Sequence, residues 1–427
     1  MQGLHLTADL YGCQCDPALL TDADPLTAFC RRAIGESGLT VVGEQFHSFD
    51  PGGVTGVVLL AESHLALHTW PELGGVTLDV YVCNFSTDNS GKAEALLESL
   101  IDAFAPRDRL INRIDRGAVD AASAPGQLVL EWLNPESAFG FRTTRELEYL
   151  RSKHQRIEVL ETAQFGKLFR LDGRYMTSER DEFFYHETMV HPGALSHPAP
   201  RRALILGGGD GGSLEEVLKH PSIDHVDLVE LDAEVIAVAK RHFASIHRGA
   251  FDDARVNVRI ADGAAFVAES AAANAPRYDL IVLDLTDPDT VAASLYTDAF
   301  FRAAGERLAP QGVLSLHTGS PVYAPTQVRR LLATLQSVFP VVRPIGLFVP
   351  LYGSYWSIAL CSRDRDPAAI DRRSIEAALA DRGICDLRYY NAGIHHALFA
   401  LPTFFAELLV PAREADPATR ARAALTG

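Results

Sequence analysis

The chain has 427 residues, of which 47% are hydrophobic and 22% charged, enough apolar material for real cores and too much for wholesale disorder. Its 39 basic and 55 acidic residues leave a net charge of −16, the wrong sign for a nucleic-acid partner. No run of about 18 apolar residues appears, so no membrane span is expected.

Six scattered cysteines without repeated CxxC pairs suit a reducing, cytoplasmic setting. Cys13-x-Cys15 lacks a second pair at metal-ligand spacing. The start, MQGLHLTADLYGC, shows neither the basic nor the long apolar region of a secretory signal.

LHLTADLYGC reads as a strand, and DADPLTAFCRRAIGESG as a helix with Asp22 or Asp24 as cap and Gly38 as stop. TVVGEQFHSF, GVTGVVLLAESHLALHTW and VTLDVYVCNF read as strands, NSGKAEALLESLIDAFAP as an amphipathic helix, and DRLINRIDRGAV as a short last strand. Residues 1–119 therefore predict a two-layer α/β domain. A linker follows at 120–128, within which DAASAPGQ is small, polar and turn-rich. QRIEVLET, GKLFRLDG and RYMTSE predict a small β-meander in a domain spanning 129–195. From Arg201 strands and helices alternate, which predicts a doubly wound, Rossmann-like parallel sheet in a 196–411 domain. Residues 412–427 are expected to be a frayed tail.

RRALILGGGDGGSLEEVLKH is strand, glycine-rich turn and helix, with Gly207, Gly209 and Gly212 in GxGxxG spacing. Glu230, about 20 positions on, closes the next strand and suits ribose hydroxyls. These features fit NAD and S-adenosyl ligands alike. Asp210, inside the loop, would repel a pyrophosphate and welcome a cation. ADG (261–263) ends a later strand and can reach an adenine amino group, while Asp284 and Asp287 in LDLTDPD face the same crevice. Helix capping alone would explain one such Asp, but four acidic strand ends around one loop ask for more.

On these motifs, with LDGRYMTSERDEFFYHE, VPLYGSYW and YYNAGIHHALFALP, residues 129–427 resemble the spermidine synthases, the polyamine aminopropyltransferase family. The resemblance implies that decarboxylated S-adenosylmethionine donates an aminopropyl group to a diamine such as putrescine. It assigns Glu230 to the donor ribose, Asp262 and Gly263 to the adenine, and Asp210 to the terminal amine beside His186. Tyr185, Asp287 and Tyr352 would position the acceptor, and Asp284 would act as base. Met176, Glu215, His317 or Thr318, and VPLYGSYW depart from the family pattern, the last two on the acceptor side. HETMVH is one residue too long for the zinc motif HExxH, and no metal is expected.

DLYGC, FHSFDPGGVTG, AESHLALHTWPE and VYVC make residues 1–117 similar to the small bacterial and archaeal S-adenosylmethionine decarboxylases. That resemblance implies self-cleavage between Glu62 and Ser63, leaving a pyruvoyl group on the new amino terminus as the only cofactor. The pyruvoyl would form a Schiff base with the substrate amine and act as electron sink. His68 would take the Ser63 α-proton, with support from Thr55, and Cys83 would return a proton to the product carbon. Phe49 would stack on the adenine and Glu72 would hold the ribose. His64 reads as a packed strand histidine and Trp70 as core.

The two halves together imply a bifunctional enzyme of spermidine biosynthesis, with a homo-oligomer of processed chains expected. Two rival readings of the first half are a pyruvoyl-dependent ornithine or arginine decarboxylase and a non-catalytic partner of the transferase. A methyltransferase reading of the second half explains the glycine loop but not Asp210 or the paired Asp284 and Asp287.

Overall fold

The computed structural model describes residues 3–85, 87–117, 126–272 and 275–409. Most of the expected linker and all of the expected tail lie outside them. The chain forms two compact units, Met1–Pro125 and Gly126–Gly427.

The first unit runs β1 (Gly3–Tyr11), α1 (Ala18–Thr21), α2 (Ala23–Glu36), β2 (Val41–Ser48), β3 (Val54–Leu60), β4 (Ser63–Trp70), β5 (Gly75–Cys83), α3 (Ser90–Phe104) and β6 (Asp108–Arg116). The strands make one sheet in the order β2-β3-β4-β5-β1-β6, every neighbouring pair antiparallel. Strand alternation buries Leu65 and Leu67 of β4, and Val76, Leu78, Val80 and Val82 of β5, against α2 and α3. Asp22 caps α2, its side chain accepting from the Asp24 N–H at 3.0 Å. Gly38 follows that helix at φ +76, a left-handed backbone that glycine adopts without strain. The long run GVTGVVLLAESHLALHTW is not one strand but the β3–β4 hairpin, which turns at Ala61 and Glu62. Trp70, expected in the core, is 39% exposed because it falls on the open face of β4.

The second unit starts with a hairpin, β7 (Leu128–Asn134) and β8 (Ser137–Arg142). An antiparallel sheet follows: β9 (Arg145–Arg151), β10 (Arg156–Thr162), β11 (Gly166–Leu171) and β12 (Arg174–Ser178). The expected meander is therefore β10 to β12, with β9 added at one edge. Next comes α4 (Glu182–Ser196), then β13 (Arg202–Gly207), α5 (Gly212–Leu218), β14 (His225–Glu230), α6 (Ala233–His242), α7 (Ala244–His247), β15 (Val256–Ile260) and α8 (Gly263–Ala272). The chain continues through β16 (Tyr278–Asp284), α9 (Asp298–Glu306), β17 (Leu308–Gly319), α10 (Pro325–Val338), β18 (Val341–Val349), β19 (Ser354–Ser362), α11 (Arg372–Asp381), α12 (Ala392–Leu398) and α13 (Thr403–Ala406).

The large sheet has the order β15-β14-β13-β16-β17-β19-β18. Strands β15 to β17 pair in parallel, while β19 inserts antiparallel between β17 and β18. Both faces are covered: Ile205, Leu228 and Val282 point into one core, Leu206, Val229 and Leu283 into the other. Helix α4 belongs to the first of these, since Met189, Val190 and Ala194 share its core and a Cβ on Gly193 would sit 3.1 Å from Leu280. The expected domain boundary at 195/196 is thus not a packing boundary. Among the described residues no single helix is long and apolar enough to cross a membrane.

Strand order reverses between β13 and β16, which opens a crevice at their carboxyl ends. Gly207 makes the turn there at φ +78, and a Cβ on it would lie 2.1 Å from the Asp284 carbonyl oxygen. Gly207→Ala should therefore cost more than about 2 kcal/mol. A fall in the denaturant midpoint of the second unit would show it, and an unchanged midpoint would refute the close approach.

Candidate active sites

The crevice is a cleft of about 930 Å³ whose lining includes Tyr185, His186, Asp210, Glu230, Asp262, Gly263, Asp284 and Tyr352. They arrive from six places: the β13–α5 loop, the ends of β14 and β16, the start of α8, helix α4 and the β18–β19 turn. Asp287, expected with them, is absent from that lining and is paired with Arg174. Its charge nonetheless acts on the phenols of Tyr296 and Tyr352.

The carboxylates here are unequal. His186 Nδ1 lies 2.9 Å from Glu182, and its Nε2 lies 3.4 Å from Asp210. Burial works against charge on His186, but Asp210 and Glu182 outweigh it and push the imidazole well above its usual range. Burial likewise pushes Asp210 up, yet His186 and the Gly212 N–H at 2.9 Å hold it below the usual carboxylate range. This geometry requires glycine at 212, where a Cβ would be 2.1 Å from the His186 ring. Asp284 is raised, by burial first and by Asp210 next, and its Oδ2 is buried without a hydrogen-bond partner. Glu230 is pushed up to about 7 by burial, while the Asp232 N–H bonds it at 2.9 Å. Asp262 does two things: it lines the cleft and it caps α8, accepting from Ala265 N–H at 2.8 Å.

Beside Tyr185, His317 contacts the Tyr296 hydroxyl at 2.8 Å and the Leu285 carbonyl at 2.9 Å, and stacks on Trp356. Thr318 instead pairs with Ser357 in the core, so of the two positions His317 is the one that faces these aromatic rings. Met176 lines the cleft, whereas Glu215 pairs with Lys219 and Arg248 away from it. The polar residues of HETMVH serve different neighbours. His186 faces Asp210, Glu187 accepts the N–H groups of Arg388, Tyr389 and Tyr390, and His191 meets Glu216 at 2.8 Å and His220 at 3.0 Å. Gln155 also lines the cleft and donates to Asp232 at 3.2 Å; a loop glutamine gives no sequence signal.

In the first unit the expected residues fall into two groups. Ser63 opens β4, and its Oγ accepts from the Cys83 N–H at 3.1 Å, beside a Cys83 side chain that is 6% exposed. Thr55 and His68 form the other group, directly paired across β3 and β4, with Oγ1 to Nδ1 at 2.7 Å. The exposed Phe49 and Glu72 lie at this same end, where Gly53 approaches the Thr69 carbonyl. Five residues of extended strand separate Ser63 from His68, roughly 16 Å. His68 is therefore not beside Ser63 within one copy. The histidine next to Ser63 is His64, half-buried, whose Nε2 lies 3.2 Å from Asp79, which also meets His5 at 2.8 Å. Among the described residues, His5, His64 and Asp79 form one of two groups of His, Cys, Asp or Glu whose ligand-type atoms lie within 4.8 Å of one another; the other is His186, Asp210 and Asp284.

Comparison with known proteins agrees with this division. Residues 4–117 match the family described as S-adenosylmethionine decarboxylase. Residues 148–179 match the spermidine synthase tetramerisation domain, and 182–372 the spermine/spermidine synthase domain. A polyamine aminopropyltransferase of Nitrosomonas europaea is 46% identical over 67% of this chain and 87% of that protein. One from Caldicellulosiruptor saccharolyticus is 38% identical over 65% of this chain and 96% of that protein. Spermidine synthase solved in complex with the transition-state analogue AdoDATO superposes with TM-score 0.62 at 34% identity, covering 67% of this chain and 96% of that one. The structure of spermidine synthase from Thermotoga maritima gives TM-score 0.61 at 34% identity over the same shares. The cleft of the second unit and the hairpin of the first thus sit on known ground: the chain belongs to the polyamine aminopropyltransferase family and carries an S-adenosylmethionine decarboxylase domain ahead of it in the same polypeptide.

Proposed function

We propose that this polypeptide makes its own donor. The first unit removes CO2 from S-adenosylmethionine, and the second transfers the aminopropyl group of the product to putrescine, giving spermidine and methylthioadenosine. The observation that carries the reading is the charge of the cleft. Asp210, Glu230 and Asp284 are gathered there, and no lysine or arginine is among the described lining residues. Such a site repels a pyrophosphate and suits a donor that is both a sulfonium and an ammonium.

In this reading Glu230 accepts the ribose hydroxyls, Asp262 and Gly263 border the adenine, and Asp210 holds the donor ammonium. Tyr185, Tyr352 and Asp287 position the acceptor. An alkyl ammonium keeps its proton to about pH 10.4, so the attacking nitrogen must lose it in the site. Asp284, with a raised pKa and an unpartnered oxygen, takes that proton. The freed nitrogen bonds to the carbon next to sulfur as the C–S bond breaks. Sulfur keeps the electron pair and leaves as neutral methylthioadenosine.

In the first unit Ser63 Oγ attacks the Glu62 carbonyl carbon, and the amide becomes an ester. Removal of the Ser63 α-proton breaks the Cβ–O bond and expels the Glu62 carboxylate, and hydrolysis of the dehydroalanine left behind, with loss of ammonia, gives a pyruvoyl group. The place of Ser63 fits this, because a residue at a two-residue hairpin turn can be cut while both flanking strands stay paired. When formed, the pyruvoyl carbonyl supplies the electron sink for decarboxylation. Cys83, adjacent to Ser63, returns the proton to the product carbon. Phe49 and Glu72 hold the adenine and the ribose. Thr55 and His68 serve the Ser63 of a second copy related by a two-fold axis, since their own is out of reach.

Three tests follow. Ser63→Ala should run as a single uncut chain and make no spermidine from S-adenosylmethionine and putrescine, yet regain it when decarboxylated donor is added. Failure to regain it would sink the assignment of the second unit. Ser63→Ala and His68→Asn should each be inactive as decarboxylases but recover activity when co-expressed, because one copy offers Ser63 and the other His68. Mixtures that stay inactive would refute the shared site. Glu230→Gln should weaken donor binding by calorimetry. The Glu230 carboxyl keeps its proton to about pH 7 when folded, against 4.5 as its ordinary value, so its ionised form costs stability once pH rises through that window. The variant without donor should be more stable at pH 8 by on the order of 2 kcal/mol, with most of that gain gone by pH 5. A gain that does not depend on pH would contradict the assignment of charge.

A further inference from the structure

The acceptor side of the second unit contains a cation that the reaction does not call for. Arg174, the first residue of β12, pairs through Nη1 with Asp287 and through Nη2 with Asp289 at 2.7 Å. Glu131 of β7 completes the group, its carboxylate accepting the Tyr175 N–H at 2.6 Å. Asp287 and Arg174 both act electrostatically on Glu131, the first opposing its ionisation and the second favouring it. Two carboxylates thus pair with one guanidinium, and a third carboxyl group is near enough for both charges to act on it. The β7–β8 hairpin closes this end of the site: a Cβ on Gly353, next to Tyr352, would lie 2.5 Å from the Phe139 ring.

As a purely structural ion pair this arrangement would be worth little, because Asp289 is 63% exposed and Arg174 31%. Its position gives it another use. Asp287 is the carboxylate read above as an acceptor contact, and the proposal rests on that reading. We propose that Arg174 selects the acceptor by length: it holds Asp287 until the far ammonium of a diamine takes its place, and its charge turns away amines that carry a third ammonium.

The exchange strands no charge. A diammonium entering between Tyr185 and Tyr352 can displace Nη1 from Asp287 while Nη2 stays on Asp289. A triamine extends a further ammonium past Asp287 into the space that the guanidinium holds. Like charges brought together there disfavour binding, which is how an added repulsive group separates two otherwise similar ligands.

The test uses the full chain, supplied with decarboxylated donor, and compares initial rates with putrescine, cadaverine and spermidine as acceptors. Arg174→Gln should lower the ratio of kcat/KM for putrescine over spermidine by roughly tenfold or more, chiefly through a lower KM for spermidine. Arg174→Lys, which keeps the charge, should retain most of the ratio. An unchanged ratio in Arg174→Gln, or an equal fall with every acceptor, overturns the proposal. Asp287→Asn separates the two layers of the argument. If it raises the KM for putrescine while Arg174→Gln leaves the ratio alone, only the selector falls. If it leaves that KM unchanged, the acceptor role of Asp287 falls and the selector with it.

Discussion

Everything in the second unit depends on burying carboxylates at the rim of a parallel sheet. Parallel strands deliver their carboxyl ends to one side, and here those ends carry Glu230 and Asp284, with Asp210 in the adjoining loop. Withdrawing such groups from water is unfavourable unless each finds a partner. Asp210 finds His186 and a backbone N–H. Glu230 finds the Asp232 N–H but is still pushed up to about 7 by burial. One oxygen of Asp284 finds nothing. The protein leaves carboxyl groups that its own partners only partly satisfy, and the cationic donor of the proposed function would complete the site. The glycines at 207 and 212 are the steric side of the same arrangement, since the loop must press against Asp284 and His186 to bring the carboxylates together.

The first unit is governed by a different rule, the length of an extended residue. At about 3.3 Å each, residues five apart on one strand lie roughly 16 Å apart, too far for their side chains to meet. Ser63 with Cys83 and His68 with Thr55 accordingly lie at opposite ends of the β3–β4 hairpin, and in the proposed function they would be two half-sites. The two units thus place their candidate groups by opposite means: one converges several strand ends on a single cleft, the other distributes its groups along a hairpin.

The sequence made the converging site legible and the distributed one only in part. Strand–glycine–helix alternation identifies the cleft directly, because the ends of parallel strands meet whatever their exact register. The helix from Ala23 was readable for a similar local reason, the Asp22 cap and the Gly38 stop. Pairing between segments was not readable. The apolar run through residues 54–70 hides its turn, because Ala61 and Glu62 are not turn-specific residues and both flanking segments are strand-like. The same gap made Trp70 look buried, since which face of β4 meets the helices depends on register. Strand β19, inserted backwards between β17 and β18, the β7–β8 hairpin, and the meeting of Arg174 with Asp287 and Glu131 across more than forty positions of chain have the same origin.

The place of the N-terminal strand has a kinetic meaning. Strand β1 lies inside the sheet, bonded to β5 on one side and β6 on the other, and β3 is laddered to β4. A cut after Glu62 would divide these partners between two polypeptides while leaving every ladder in place. The native unit would hardly register the loss of one peptide bond, but its unfolded state would become two separate molecules. Reassembly would then be a second-order event, slower the more dilute the protein, whereas the uncut chain folds at a rate independent of concentration. Maturation at this hairpin would thus make the decarboxylase a structure that assembles readily once and is kept thereafter by its slow rate of coming apart.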